Sequence, residues 1–151
     1  MEERILKEGI CTGIQLSKYI INKCTNDRYP ISNLQLQKIL FNLQKYFIIN
    51  YNQKLITDDF EAWPYGPVIR EVYAEYCSYG SMTINEKYDH ISINSSIRSK
   101  IDPIINRLRT RQPWDLVEDT HRPGGAWDTI YKNGAGNKKI IPVCLIKEKE
   151  N

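Results

Sequence analysis

The stretch Asp59-Phe60-Glu61-Ala62-Trp63-Pro64-Tyr65-Gly66-Pro67-Val68 decides how the rest of the chain is read. Each of its two prolines fixes its own φ, lacks a backbone donor and drives the preceding residue toward extended geometry. The segment therefore cannot lie inside a helix, and Gly66 lets the chain turn with no side chain in the way. The run that follows, Val68 to Tyr76, has helical spacing. It predicts a helix from Pro67 to about Tyr79, with Pro67 at the first position, where a missing N–H carries no penalty, and Gly80 placed to close it. Two large aromatics, Trp63 and Tyr65, project from the corner. They read either as a buried structural corner or as an exposed anchor for a partner.

Working outward, residues from Gly9 to Cys24 carry Ile10, Ile14, Tyr19, Ile20 and Cys24 at helical intervals, and the polar run from Asn26 to Pro30 ends that helix. Ser32 with Gln35 three residues on forms a capping box. Behind it Leu36, Ile39, Leu40, Leu43, Tyr46 and Phe47 make a wide apolar stripe, so this helix is expected to cross the middle of the core. The piece from Tyr51 to Asp58 reads as a polar turn around Leu55 and Ile56. On the far side of the corner, Met82–Ile84 reads as a short strand, and Asn85–Ser92 as loop with an edge strand near His90–Ile93. Asn94 opens a helix reaching about Thr110, which Pro103 must kink or split. Pro113 starts a short helix with Trp114, Leu116 and Val117 inward, Ala126–Tyr131 forms another, Lys138–Ile141 a strand, and Pro142 starts a last helix. The sum is a mainly α (α+β) fold: one compact domain over residues 1–151, with five to seven helices and a small sheet of two or three strands.

Composition narrows the class. The chain has 151 residues, 41% hydrophobic and 26% charged, enough for one core of ordinary globular character. A net charge of +3 is too mild to argue for nucleic-acid binding. Cys11, Cys24, Cys77 and Cys144 are far apart and form no close pair, which predicts free, mostly buried thiols in a reducing cytoplasm. The opening Met1-Glu-Glu-Arg-Ile-Leu-Lys7 is charged and has no apolar leader pattern, and no run is long enough to span a membrane.

The short motifs argue against chemistry. Trp114–Asp115 and Trp127–Asp128 lie too close for propeller blades and read as aromatics buried near helix starts, each with an acid against the helix dipole. Asn133-Gly-Ala-Gly-Asn-Lys-Lys139 lacks the Gly-Lys-Ser/Thr of a phosphate loop and reads as a glycine-rich turn. His90 and His121 are the two histidines; neither has metal-ligand spacing, and His121 reads as a capping residue at a helix end. No cofactor or metal is expected. Arg107 and Arg111 share a helix face at i, i+4 and, with Arg109, make a basic ridge that no nearby acid in the sequence balances before Asp115. That ridge is either a solvated face or a docking surface for an acidic partner or RNA.

Taken in order, Leu34-Gln-Leu-Gln-Lys-Ile-Leu-Phe41, Glu61-Ala-Trp-Pro-Tyr-Gly-Pro-Val-Ile-Arg-Glu-Val-Tyr73 and Tyr79-Gly-Ser-Met-Thr-Ile84 resemble the Panacea domain, the phage-associated GepA-like or SocA-like antitoxin family. Gln35, Lys38 and Gln44 match its helix motif, with Phe41 where tyrosine is usual. Glu61, Trp63, Tyr65, Gly66 and Pro67 match its central signature, and Trp114, His121 and Trp127 its C-terminal part, with Ala126 where proline is usual. The resemblance implies a non-enzymatic type II antitoxin that neutralises a cognate toxin by direct contact, prominently a toxic small alarmone synthetase or another translation inhibitor. Its alternative is a phage- or mobile-element-encoded adaptor that delivers its target to a AAA+ protease or binds a host factor. A separate DNA-binding domain, and hence DNA as a partner, is not expected; RNA stays open. A rival enzyme would use His121 with Asp119 or Asp128. Because members with unrelated partners share the signature, the resemblance favours Trp63 to Pro67 as scaffold, with Trp63 largely buried against the Leu36–Phe47 helix and Tyr65 partly so. Tyr65, Arg107, Arg109 and Arg111 remain the candidate partner-binding residues.

Overall fold

A computed structural model describes residues 8–151; the charged segment 1–7, from which the absence of a leader was read, lies outside the described residues. Helix α1 (Gly13–Asn26) starts four residues later than its apolar spacing suggests. Thr12 and Gln15 form its capping box, while Ile10 and Cys11 precede the helix and their amides both donate to the Leu55 carbonyl. Helix α2 (Asn33–Tyr51) begins at the expected Ser32–Gln35 box and ends at Asn52, in a left-handed conformation with φ 51° that asparagine tolerates. Apart from the partly buried Tyr46, its stripe is buried and packs against α1 and most of the later elements, so α2 is the axle of the core. Each fully buried Leu or Ile on it contributes about 1.5–3 kcal/mol relative to exposure.

Strands β1 (Phe60–Trp63) and β2 (Gly66–Val68) pair antiparallel with Trp63 opposite Gly66, which makes Pro64–Tyr65 a two-residue hairpin turn. Here the reading of Pro67 as a helix start is corrected. Pro67 lies in β2, at the edge of a sheet ordered β2-β1-β3, where a residue with no N–H to donate is tolerated. Helix α3 (Arg70–Tyr76) begins three residues further on, runs into a single 3₁₀ turn (Cys77–Tyr79), and is closed by Gly80 at φ 58°. The strand expected at Met82–Ile84 reduces to one isolated bridge between Ser32 and Thr83, and His90–Ile93 forms no strand.

Helix α4 (Ser95–Leu108), capped by Asn94, runs through Pro103 without splitting and buries Ile101, Ile104, Ile105 and Leu108. Helices α5 (Pro113–Thr120) and α6 (Ala126–Tyr131), strand β3 (Ile140–Ile141, paired to Phe60–Glu61) and helix α7 (Val143–Lys149) complete the chain. The described residues thus hold seven α-helices and one three-stranded antiparallel sheet, an α+β arrangement that is 56% helical. Two of the thiols, Cys11 and Cys24, are buried, but Cys77 and Cys144 are exposed, which corrects the expectation of mostly buried cysteines. Among the described residues no helix is long and apolar enough to cross a membrane.

Candidate functional site

The Trp63–Gly66 hairpin rests on an interior that sequence patterning assigned to hydrophobic packing. Lys38 projects from the buried side of α2, is 0% exposed, and donates from Nζ to the Tyr65 carbonyl. Among the described residues no carboxylate pairs with it. Burial in so apolar a place penalises the ammonium and lowers its pKa from 10.5 to about 7. Gly66 adopts φ +120°, and a Cβ there would run into Lys38 Nζ and stand 2.7 Å from Thr120 Oγ1. The turn is therefore seated directly on the ammonium, and only glycine fits where it touches down.

Two further anchors hold the same turn. Trp127, buried at the start of α6, donates from Nε1 to the Trp63 carbonyl at 2.7 Å. Its ring lies between His121 on one face (centroids 3.8 Å apart, planes 5° apart) and Tyr131 (4.6 Å, 17°). Burial and then the neighbouring Lys38 ammonium lower the His121 pKa below 6.5, against the opposing pull of the Tyr65 carbonyl. On the β2 side, Gln37 Oε1 accepts the Ile69 amide at 3.0 Å, fixing the step into α3.

The outer face is aromatic. The expectation of a largely buried Trp63 is corrected: Phe60 and Ala62 point into the core, so strand alternation turns Glu61 and Trp63 to the opposite face. Trp63 is half-buried, with its ring 4.8 Å from Tyr73 and under Lys138 Nζ at 5.3 Å, and its Nε1 donates to Glu61 Oε1 at 3.0 Å. Glu61 also receives Arg70 at 3.1 Å. Trp114, expected inward, is 64% exposed, because Trp114 and Leu116 lie two residues apart on a helix and cannot share a face. It meets Tyr65, 57% exposed, in an edge-to-face pair with centroids 6.3 Å apart. Between Trp63, Tyr65, Tyr73 and Trp114 runs a surface groove of about 490 Å³, and its lining among the described residues carries no charged side chain.

The remaining predicted residues lie away from the groove. Gln35 closes the capping box and reaches the Arg109 and Arg111 carbonyls. Gln44 Oε1 accepts the Leu55 and Ile56 amides at 3.0 and 2.8 Å, and its Nε2 donates to Ile56 O at 3.1 Å. The arginines do not form one unbalanced ridge. Arg109 is drawn in over Tyr29 and pairs with Asp27 at 2.6 Å, Arg111 pairs with Asp119, and Arg107 is exposed. Both balancing acids lie beyond the sequence window that suggested a charge excess. Asp128 accepts the Gly124 amide at 3.0 Å, so each carboxylate considered as a partner for His121 is engaged elsewhere. No cluster of His, Cys, Asp and Glu among the described residues could hold a metal. Sequence reasoning missed Gln37, Thr120 and Tyr73. Gln37 had a legible signal, since it shares a core-facing helix position with Gln44 seven residues on, and a buried amide needs backbone partners.

Fold and turn together define a class: a mostly helical protein built around a buried lysine and a Trp-Pro-Tyr-Gly hairpin. The chain belongs to the family described as "Antitoxin SocA-like, Panacea domain", whose profile matches residues 36–128, from α2 into α6 and so through every element of the turn. It is also similar to the protein named Antitoxin SocA of Caulobacter vibrioides (strain NA1000 / CB15N), with 31% identity over 133 residues, covering 80% of this chain and 70% of the relative. No solved structure matches it.

Proposed function

We propose that this chain is a type II antitoxin that neutralises a cognate toxin by direct protein contact, and that the toxin seats on the groove between Trp63, Tyr65, Tyr73 and Trp114. The observation that carries the reading is the exposed Tyr65–Trp114 pair over an uncharged groove, on a member of an antitoxin family. Solvent-exposed Tyr and Trp beside one another are the residue types that dominate protein interfaces, because each buries a large area with few rotatable bonds. Occluding an active site in this way needs no chemistry from the antitoxin. A toxic small alarmone synthetase or another translation inhibitor is the toxin class that the family resemblance suggests.

The test is co-purification and growth rescue with the toxin encoded beside this gene. Tyr65→Ala and Trp114→Ala should each weaken binding at least about tenfold, as truncation of interface aromatics does. Both rings are exposed, so thermal stability should hold to within about 0.5 kcal/mol. Failure of the wild-type protein to bind that toxin refutes the reading. Capture of a AAA+ protease subunit in its place supports the adaptor alternative.

A further inference from the structure

We infer that Lys38 is the positioning residue of the docking turn, its ammonium fixing the Tyr65 carbonyl so that the Tyr65 ring stands beside Trp114. The inference rests on the groove being the toxin-binding face. Three observations converge on it. Lys38 is fully buried on α2 with no carboxylate paired to it among the described residues, and its Nζ donates to the carbonyl of the residue that carries the exposed ring. The adjoining Gly66 brings backbone so close that any side chain would collide with Nζ and crowd Thr120 Oγ1. And the fold itself does not call for a charge here: a methionine of similar volume would fill the same space without the penalty of burying an ammonium. The lysine therefore serves the geometry of the turn, at the expense of stability.

The groups facing Lys38 are few. The Lys38 charge acts through space on His121 at the end of α5, which Asp128 of α6 also influences, and Thr120 adds an uncharged hydroxyl. Removal of the Lys38 proton weakens its donation to Tyr65 O, so the carbonyl and the Gly66 amide should report its charge.

The experiment uses the full chain, isotope-labelled, as wild type and Lys38→Met. In wild type the Tyr65 carbonyl and Gly66 amide resonances should titrate with a midpoint near the depressed lysine value of about 7. In Lys38→Met that titration should vanish, the edge-to-face pairing of Tyr65 with Trp114 should disappear, the melting temperature should hold or rise, and toxin affinity should fall about tenfold. The same titration in a His121→Gln background removes the imidazole that also reaches the Tyr65 carbonyl; loss of the titration there assigns it to His121 and overturns the inference, as does retention of the ring pairing in Lys38→Met. If the variant fails to fold, the wild-type protein decides the matter: absence of a nuclear Overhauser contact between the Lys38 ε-methylene and the Gly66 α protons refutes it. Toxin affinity abolished in Tyr65→Ala but kept in Lys38→Met, with the ring pair intact, rejects the role of Lys38 and keeps the groove. Separation of the two rings in Lys38→Met, with affinity unchanged in it and in Tyr65→Ala and Trp114→Ala, rejects the groove and leaves the positioning role standing.

Discussion

Gly66→Ala is the sharpest perturbation of the hairpin, because two independent penalties fall on one methyl group. A φ of +120° is open to glycine and strained for any L side chain, at about 1–3 kcal/mol. The new Cβ also meets Lys38 Nζ and Thr120 Oγ1 in a fully packed interior, where overpacking adds about 1–3 kcal/mol. Lysine ends move easily at a surface, but Lys38 is enclosed and its Nζ is already engaged by Tyr65 O, so the clash is not relieved by a rotamer change. The sum is about 2–6 kcal/mol, a large share of the roughly 5–15 kcal/mol that stabilises a typical domain. At about 2–4 °C per kcal/mol for a chain of this size, a mid-range loss of ~4 kcal/mol lowers the melting temperature by about 8–16 °C. Differential scanning calorimetry measures it directly. A shift below about 2 °C would refute both the backbone and the packing arguments. Gly66→Ala combined with Lys38→Ala separates them: if the clash with Nζ is real, the double variant loses less than the sum of the singles by about 0.5–3 kcal/mol.

Gln44→Leu should cost about 2–6 kcal/mol in urea denaturation, because it strips the acceptor from two buried amides, Leu55 and Ile56, at about 1–3 kcal/mol each. Gln37→Leu, which orphans the Ile69 amide, should cost about half as much, and equal losses would count against this explanation. Lys38 holds its proton less tightly in the folded protein than at its ordinary 10.5, so the unfolded chain binds more protons between about pH 7 and 10.5. Folding stability attributable to this residue therefore rises with pH across that window and is at its lowest below it. The difference between wild-type and Lys38→Met stability, measured by urea denaturation along the window, should change in that direction; a constant difference would show that burial does not tax the ammonium.

Much of the fold was legible because the relevant signals are local. The Ser32–Gln35 box, the α2 stripe, the Asn94 cap and the Pro113 start each depend on residues within a turn or two of one another, and each is where the sequence put it. Pro67 was misplaced for a physical reason: proline favours both a helix start and an edge strand, and the choice was made by the pairing of Glu61, Ala62 and Trp63 with Val68, Pro67 and Gly66. Trp63 was read as buried from the shared signature and Trp114 from its place at a helix start, although strand and helix periodicity point each away from its apolar neighbours. The arginine surface dissolved because its counter-charges, Asp27 and Asp119, come from other elements.

The amino-acid sequence by itself determined the helical frame, the corner at Trp63–Pro67 and, through its ordered motifs, the family. Backbone restriction and short-range periodicity act within a few residues, so they can be read without knowing what lies across the core. Only the tertiary structure decided that Lys38 sits under Tyr65, that Gly66 is required by an ammonium arriving from 28 positions earlier, and that Tyr65 and Trp114 meet at the surface. Those contacts join residues far apart in the chain. Their partners are chosen by how α2, the hairpin and α5 pack, and no local propensity encodes that choice.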